Sequence, residues 1–221
     1  MFHVKPLLFF FLVLPLGLYA QRIGTTTLET KALPKQPEII NSIEAYVNDF
    51  PELDARQREW FYWTNYSRSD PRRFWDSAIA PLIKVYPQLS NSYTKSLKDD
   101  LYKSSILPMV KSNRDLAKIA QAHSSSLAVK NEGPSHTSPV GVTFEARMKS
   151  INIKRCGGEN ISFGPPNTLL MLVLLYIDEG VPDLGHRKSL LNSSFLEMGI
   201  GVSAYPDNKF MIVQDFACDQ R

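Results

Sequence analysis

Apolar residues recur at helical spacing through the first two thirds of the chain and at strand spacing only near its end. Positions 38–50 carry enough of the helical pattern for one short helix. From Asp54 the pattern is clear: Trp60, Phe61, Trp63 and Tyr66 crowd one stretch and read as core, until Pro71 interrupts them. Asp70 is a good N-cap with Pro71 at the first helical position, so a second helix follows. Its apolar face is Phe74, Trp75, Ile79, Leu82 and Ile83. Positions 88–105 are polar, rich in Lys and Ser, and predict a surface excursion with a helix around 95–102. Ser112 is placed to cap the next helix, whose apolar side is Leu116, Ile119, Ala120, His123, Leu127 and Ala128. Asn131 and Gly133-Pro134 end it.

The pattern then shortens. A loop holds His136, a helix covers 144–150, and a strand covers 159–163 before Pro165-Pro166. Asn167 or Thr168 starts a helix over 169–177 that is apolar nearly all round. Spanning a bilayer takes about 20 residues, so this run predicts a fully buried core helix. Gly180 and Pro182 end it, and 186–191 predicts a short helix. Strands at 199–202 and 210–216 flank Pro206, Asp207 and Asn208, the makings of a hairpin turn. Helices come first, then strands interleaved with helices. That order predicts an α+β fold with a small, at least partly antiparallel sheet covered by helices on both faces.

The first 20 residues read as a secretion signal: Lys5, an apolar run over 7–18, and Ala20 at the cleavage point. Residues 21–53 form an N-terminal extension, with a linker over 24–37, and 54–221 make one domain with room for a sizeable core. Lys5 is the only Lys, Arg, Asp or Glu in the signal, so its removal lowers the formal charge from +3 to +2. A balance so near neutral gives no reason to expect nucleic acid as a partner. The expected location is secreted or extracytoplasmic, with no stable membrane span once the signal is cleaved. Two cysteines in an exported chain, Cys156 and Cys218, suit one disulfide. Two buried free thiols are the alternative.

The candidate chemistry lies in His136, Glu159, the acidic pair Asp178-Glu179, and His186. Gly158 and Gly185 stand beside two of them and permit close backbone approach. Two neutral imidazoles in one cleft suit a divalent cation, zinc or calcium, with carboxylates orienting them from behind. Glu159 with His186 is the candidate acid–base pair for an enzyme. The competing reading is a buried Glu159–His186 network that only rigidifies the fold. Ser135 and Ser138 flank His136 without a nucleophile elbow. His123 lies on an apolar helix face and reads as a packed core histidine. Arg187 reads as an exposed helix residue with Asp183 as a partner.

The ordered set Ser135-His136-Thr137, Gly158-Glu159-Asn160-Ile161, Gly185-His186-Arg187 and Met198-Gly199-Ile200-Gly201-Val202 resembles the CAP superfamily. That superfamily holds cysteine-rich secretory proteins, antigen 5, pathogenesis-related proteins and bacterial SCP-domain proteins. Leu116 to Ser124 resembles its "L..A..HS" helix and Trp63 to Arg68 its "N..R" helix. The resemblance implies an α-β-α sandwich and a cleft of two His and two acids. By motif these are His136, Glu159 and His186, with Asp178 ahead of Glu179 for the second acid. It also implies a small molecule, lipid or protein as partner. The functions in view are a secreted binding domain, a peptidase-like hydrolase acting on extracellular or envelope substrates, and a surface interaction protein with a purely structural cleft.

Overall fold

The computed structural model describes residues 34–35, 37–154 and 156–218. The predicted signal and most of the predicted linker lie outside them. Helix α1 (Asn41–Asn48) stands where a short helix was predicted. Helix α2 (Ala55–Ser69) begins at a full capping box: the Asp54 side chain accepts from Gln57 N–H while the Gln57 side chain accepts from Asp54 N–H. Asp70 caps α3 (Pro71–Phe74), which continues through a π-helical turn into α4 (Ala80–Val85). Pro81 at the head of α4 lacks the N–H that an unbroken α-helical ladder would use. Helix α5 (Ser92–Lys103) crosses the predicted surface excursion, but its Leu97 and Leu101 are fully buried.

The first strand has no clear sequence signal. β1 (Lys111–Ser112) takes Ser112 into the sheet, and Asn113 rather than Ser112 caps α6 (Arg114–Val129), accepting from Asp115 and Leu116 N–H. Helix α7 (Phe144–Ser150) and strand β2 (Gly157–Gly164) follow. Asn167 caps α8 (Thr168–Ile177), which is buried along nearly its whole length as its composition demands. Helix α9 (Gly185–Leu190) leads to β3 (Glu197–Tyr205) and β4 (Lys209–Ala217). Asp207 and Asn208 adopt the left-handed conformation that closes this hairpin.

The strands lie in the order β1-β3-β4-β2; β1 runs parallel to β3, and the other pairs are antiparallel. Helix α6 lies directly on β3. A Cβ at Gly199 would stand 2.1 Å from Ala117 N, and one at Gly201 2.2 Å from Ala120 O, so only glycine lets helix and strand backbones approach this closely. Gln121 fixes the contact by bonding both Val202 N–H and Val202 C=O. The opposite face of the sheet packs on α2 and α8, with Trp60, Phe61, Leu172, Tyr176, Ile200, Ile212 and Phe216 in one continuous core. The result is the predicted α-β-α sandwich. Buried Arg68 ties α2 to the loops beyond it, donating to the carbonyls of Pro108, Leu190, Asn192 and Phe195. Cys156 and Cys218 form a disulfide with their Cα atoms 5.6 Å apart.

Candidate functional site

β2 is an outer strand, and its alternation decides the geometry of the site. Glu159 faces the side covered by α6 and α7, while Asn160 faces α9 and donates to His186 C=O at 3.4 Å. The two imidazoles therefore meet different acids, one on each side of the strand. His136 Nδ1 lies 2.8 Å from Glu159 Oε1, and His186 Nδ1 lies 2.6 Å from Asp178 Oδ1. The predicted Glu159–His186 pair does not form, because strand period 2 points Glu159 away from α9.

The Glu159 side rests on Arg147, for which the sequence pattern held no signal. Its Nη2 donates to Glu159 Oε2 at 2.5 Å, and its Nη1 donates to His136 C=O and Val142 C=O. One guanidinium thus holds the carboxylate and both ends of the loop that carries His136. A Thr137–Thr143 bridge and the Ser138–Val142 backbone bond close that loop. Burial pushes the Glu159 carboxyl up, but the His136 hydrogen bond and the Arg147 charge outweigh it and hold it below the usual range. The His136 side chain is 50 % exposed, whereas that of Glu159 is 1 % exposed, so the imidazole is the solvent-facing end of the pair.

Behind Glu159 the interior is polar and closed to solvent. Asp215, its cross-strand partner on β4, is fully buried, and neither carboxyl oxygen has a hydrogen bond of good geometry among the described residues. Burial, then the negative charge of Glu159, pushes Asp215 well above the usual carboxylate range. His123 is not an isolated core residue. Its Nε2–H donates to Ser135 C=O at 2.8 Å, which leaves Nδ1 bare and buried. Burial lowers its affinity for a proton, and the Glu159 charge offsets this only in part.

The second pair is built from a helix end. Asp178 closes α8 in the left-handed conformation at φ 56°, which turns its carboxylate toward the start of α9. There Oδ2 accepts from His186 N–H at 3.0 Å and from Arg187 N–H at 3.2 Å, while Oδ1 holds the imidazole. Of the acidic pair, Asp178 is therefore the one that holds a candidate histidine; Glu179 is exposed and bonds to neither histidine. Arg187, expected on the surface beside Asp183, is 2 % exposed. It donates to Tyr176 C=O, Ile177 C=O and Tyr93 C=O and pairs with Asp100 at 2.9 Å, stitching α8 to α5.

Residues 54–216 match the cysteine-rich secretory protein family, CAP. The chain belongs to this family. No curated protein matches it. Among solved structures, the CAP chain is similar to an extracellular SCP-domain protein of Bacillus anthracis at 27 % identity and TM-score 0.40. That match covers 51 % of this chain and 35 % of the other, so the chain spans about a third of that protein. It is similar to an outer surface protein of Borrelia burgdorferi at 20 % identity and TM-score 0.44, over 58 % of this chain and 90 % of the other. Venom allergen-like protein 4 of Schistosoma mansoni matches at 14 % identity and TM-score 0.45, over 76 % and 92 %.

Within this CAP domain the motif histidines share one arrangement. Each commits Nδ1 to a buried carboxylate and keeps Nε2 as the ring nitrogen for another partner. Such pairing fixes the tautomer and raises ligand basicity. Among the described residues no group of three or more His, Cys, Asp or Glu side chains is placed to hold a metal ion. Two imidazoles fall short of a closed structural zinc site, which takes four ligands, and would leave a bound cation with open positions. Among the described residues no helix is long and apolar enough to cross a membrane.

Proposed function

We propose that this CAP protein is an exported binding domain that takes a divalent cation of the zinc class through His136 and His186. The supporting observation is the shared use of Nδ1: two buried carboxylates, Glu159 and Asp178, hold two imidazoles with Nε2 left over. Imidazole nitrogen favours zinc over calcium, which takes oxygen ligands. The two carboxylates act through the rings. They set the tautomer, and the open positions go to water or to a ligand donor. The cation would supply Lewis-acid character to whatever occupies those positions. Binding is better supported than turnover, because Arg147 and His136 both stabilise ionised Glu159 and make it a weak base.

The test is calorimetry of the intact chain with zinc and, separately, calcium. Zinc uptake lost in both His136→Ala and His186→Ala, with circular dichroism unchanged, supports the reading. No zinc heat in the wild type, or uptake that survives both substitutions, removes it.

A further inference from the structure

A cavity lies partly outside the matched family region. It measures about 230 Å³ and opens between α1, which precedes residue 54, and the first turns of α2. We propose that it is a binding site for a small organic ammonium ion, such as a methylated amine.

Two aromatic rings border the cavity. Tyr62 and Trp63 both line it, packed edge to face with centroids 4.9 Å apart and planes at 82°. An ammonium group seated over the face of either ring gains from its quadrupole. The acids are placed to match. Glu44 reaches the cavity from α1 and Glu59 from α2, and both line it. Glu59 accepts from Thr168 Oγ1 at 2.6 Å, which leaves its other oxygen for a ligand. The cation in the lining, Arg58, is already bonded to Leu53 C=O and Asn48 Oδ1. Val47, buried on α1, supplies an apolar wall for N-methyl groups. The volume falls below the roughly 300–1,000 Å³ usual for drug-sized ligands, which points to a small ion.

The cavity also has a reason to exist. Tyr62 hydroxyl accepts from Ile40 N–H at 2.9 Å, which anchors the start of α1 over α2. The extension thus completes a chamber that α2 alone would leave as an open face.

Choline and its uncharged isostere 3,3-dimethylbutan-1-ol are the probes, titrated into the intact chain by calorimetry and followed at the Trp63 indole N–H by NMR. Choline is expected to bind and to shift that signal, and the neutral isostere to bind about tenfold more weakly or not at all. Glu44→Gln, at an exposed position that leaves the fold intact, is expected to weaken choline several-fold. Equal binding of the two probes, no choline binding up to about 10 mM, or full affinity in Glu44→Gln overturns the proposal. Zinc binding by His136 and His186 does not enter this experiment.

Discussion

Glu159 and Asp215 stand opposite each other in the β2–β4 ladder, two acids on the same buried face. One of them has Arg147 and His136 bonded to it; the other feels the Arg147 charge only as the smallest of the influences on it and has no well-formed hydrogen bond among the described residues. Burial and the Glu159 charge push the Asp215 carboxyl up while His136 and Arg147 hold that of Glu159 down, so of the two Asp215 is the one that holds a proton more readily. The folded state therefore binds a proton at residue 215 that the unfolded chain releases above about pH 4. The Asp215 contribution is fully present below that pH and is lost as pH rises. Glu159, with its depressed carboxyl, works in the opposite sense: its contribution is present at neutral pH and lost in acid.

Asp215→Asn mimics the protonated form and removes the penalty. It should stabilise the domain by about 1–2 kcal/mol at pH 7 and by nothing near pH 3. Urea unfolding at the two pH values measures the difference.

Arg147→Met leaves the Glu159 charge buried without its guanidinium. The expected loss is about 3–5 kcal/mol, because one partner of a buried pair has been removed. Adding Glu159→Gln should recover part of that loss. Equal instability of the single and double variants in chemical denaturation would show that Arg147 acts through the His136 loop carbonyls instead.

Asp178→Asn tolerates the left-handed backbone but surrenders one of the carboxylate's acceptors. His186 would lose its fixed tautomer or its contact with residue 178. Stability should fall by about 1–2 kcal/mol, and the proposed zinc affinity by about tenfold. Glu179→Gln, on an exposed side chain, should change neither when the two variants are compared by calorimetry and melting.

Gly199→Ala places a methyl group against the backbone of α6. Backbone cannot swing aside as a side chain does, so a cost at the upper end of about 1–3 kcal/mol is expected. Thermal melting should show it clearly, while Gly133→Ala, in open space, should be nearly silent.

Much of the fold is visible in the residue pattern. α7 has the predicted bounds, and the hairpin, the buried α8 and the Asp70-Pro71 helix start stand where their local signals place them. Each is decided within a few residues by a cap, a turn or a period. β1 is invisible in the pattern because two residues carry no period; it exists because β3 accepts it. Arg147 and Arg187 hide for a related reason. A buried arginine is made by distant carbonyls, and nothing beside it in sequence announces them. Asp215 does leave a trace, since Met211, Val213 and Ala217 share its alternation and face the interior. A carboxylate in that phase of a strand signals a buried acid.

The Cys156–Cys218 bond sits one residue outside the Gly157–Ala217 rung, and Cys218 N–H also bonds Cys156 C=O. It works as a clasp on the ladder. If β2 slid by a single position, Glu159 would turn toward α9 and Asn160 toward Arg147, and neither histidine would keep its surroundings. A reducing environment therefore loosens more than the chain end: it frees the one strand whose phase sets the partner of the His136 imidazole and the support of the His186 backbone.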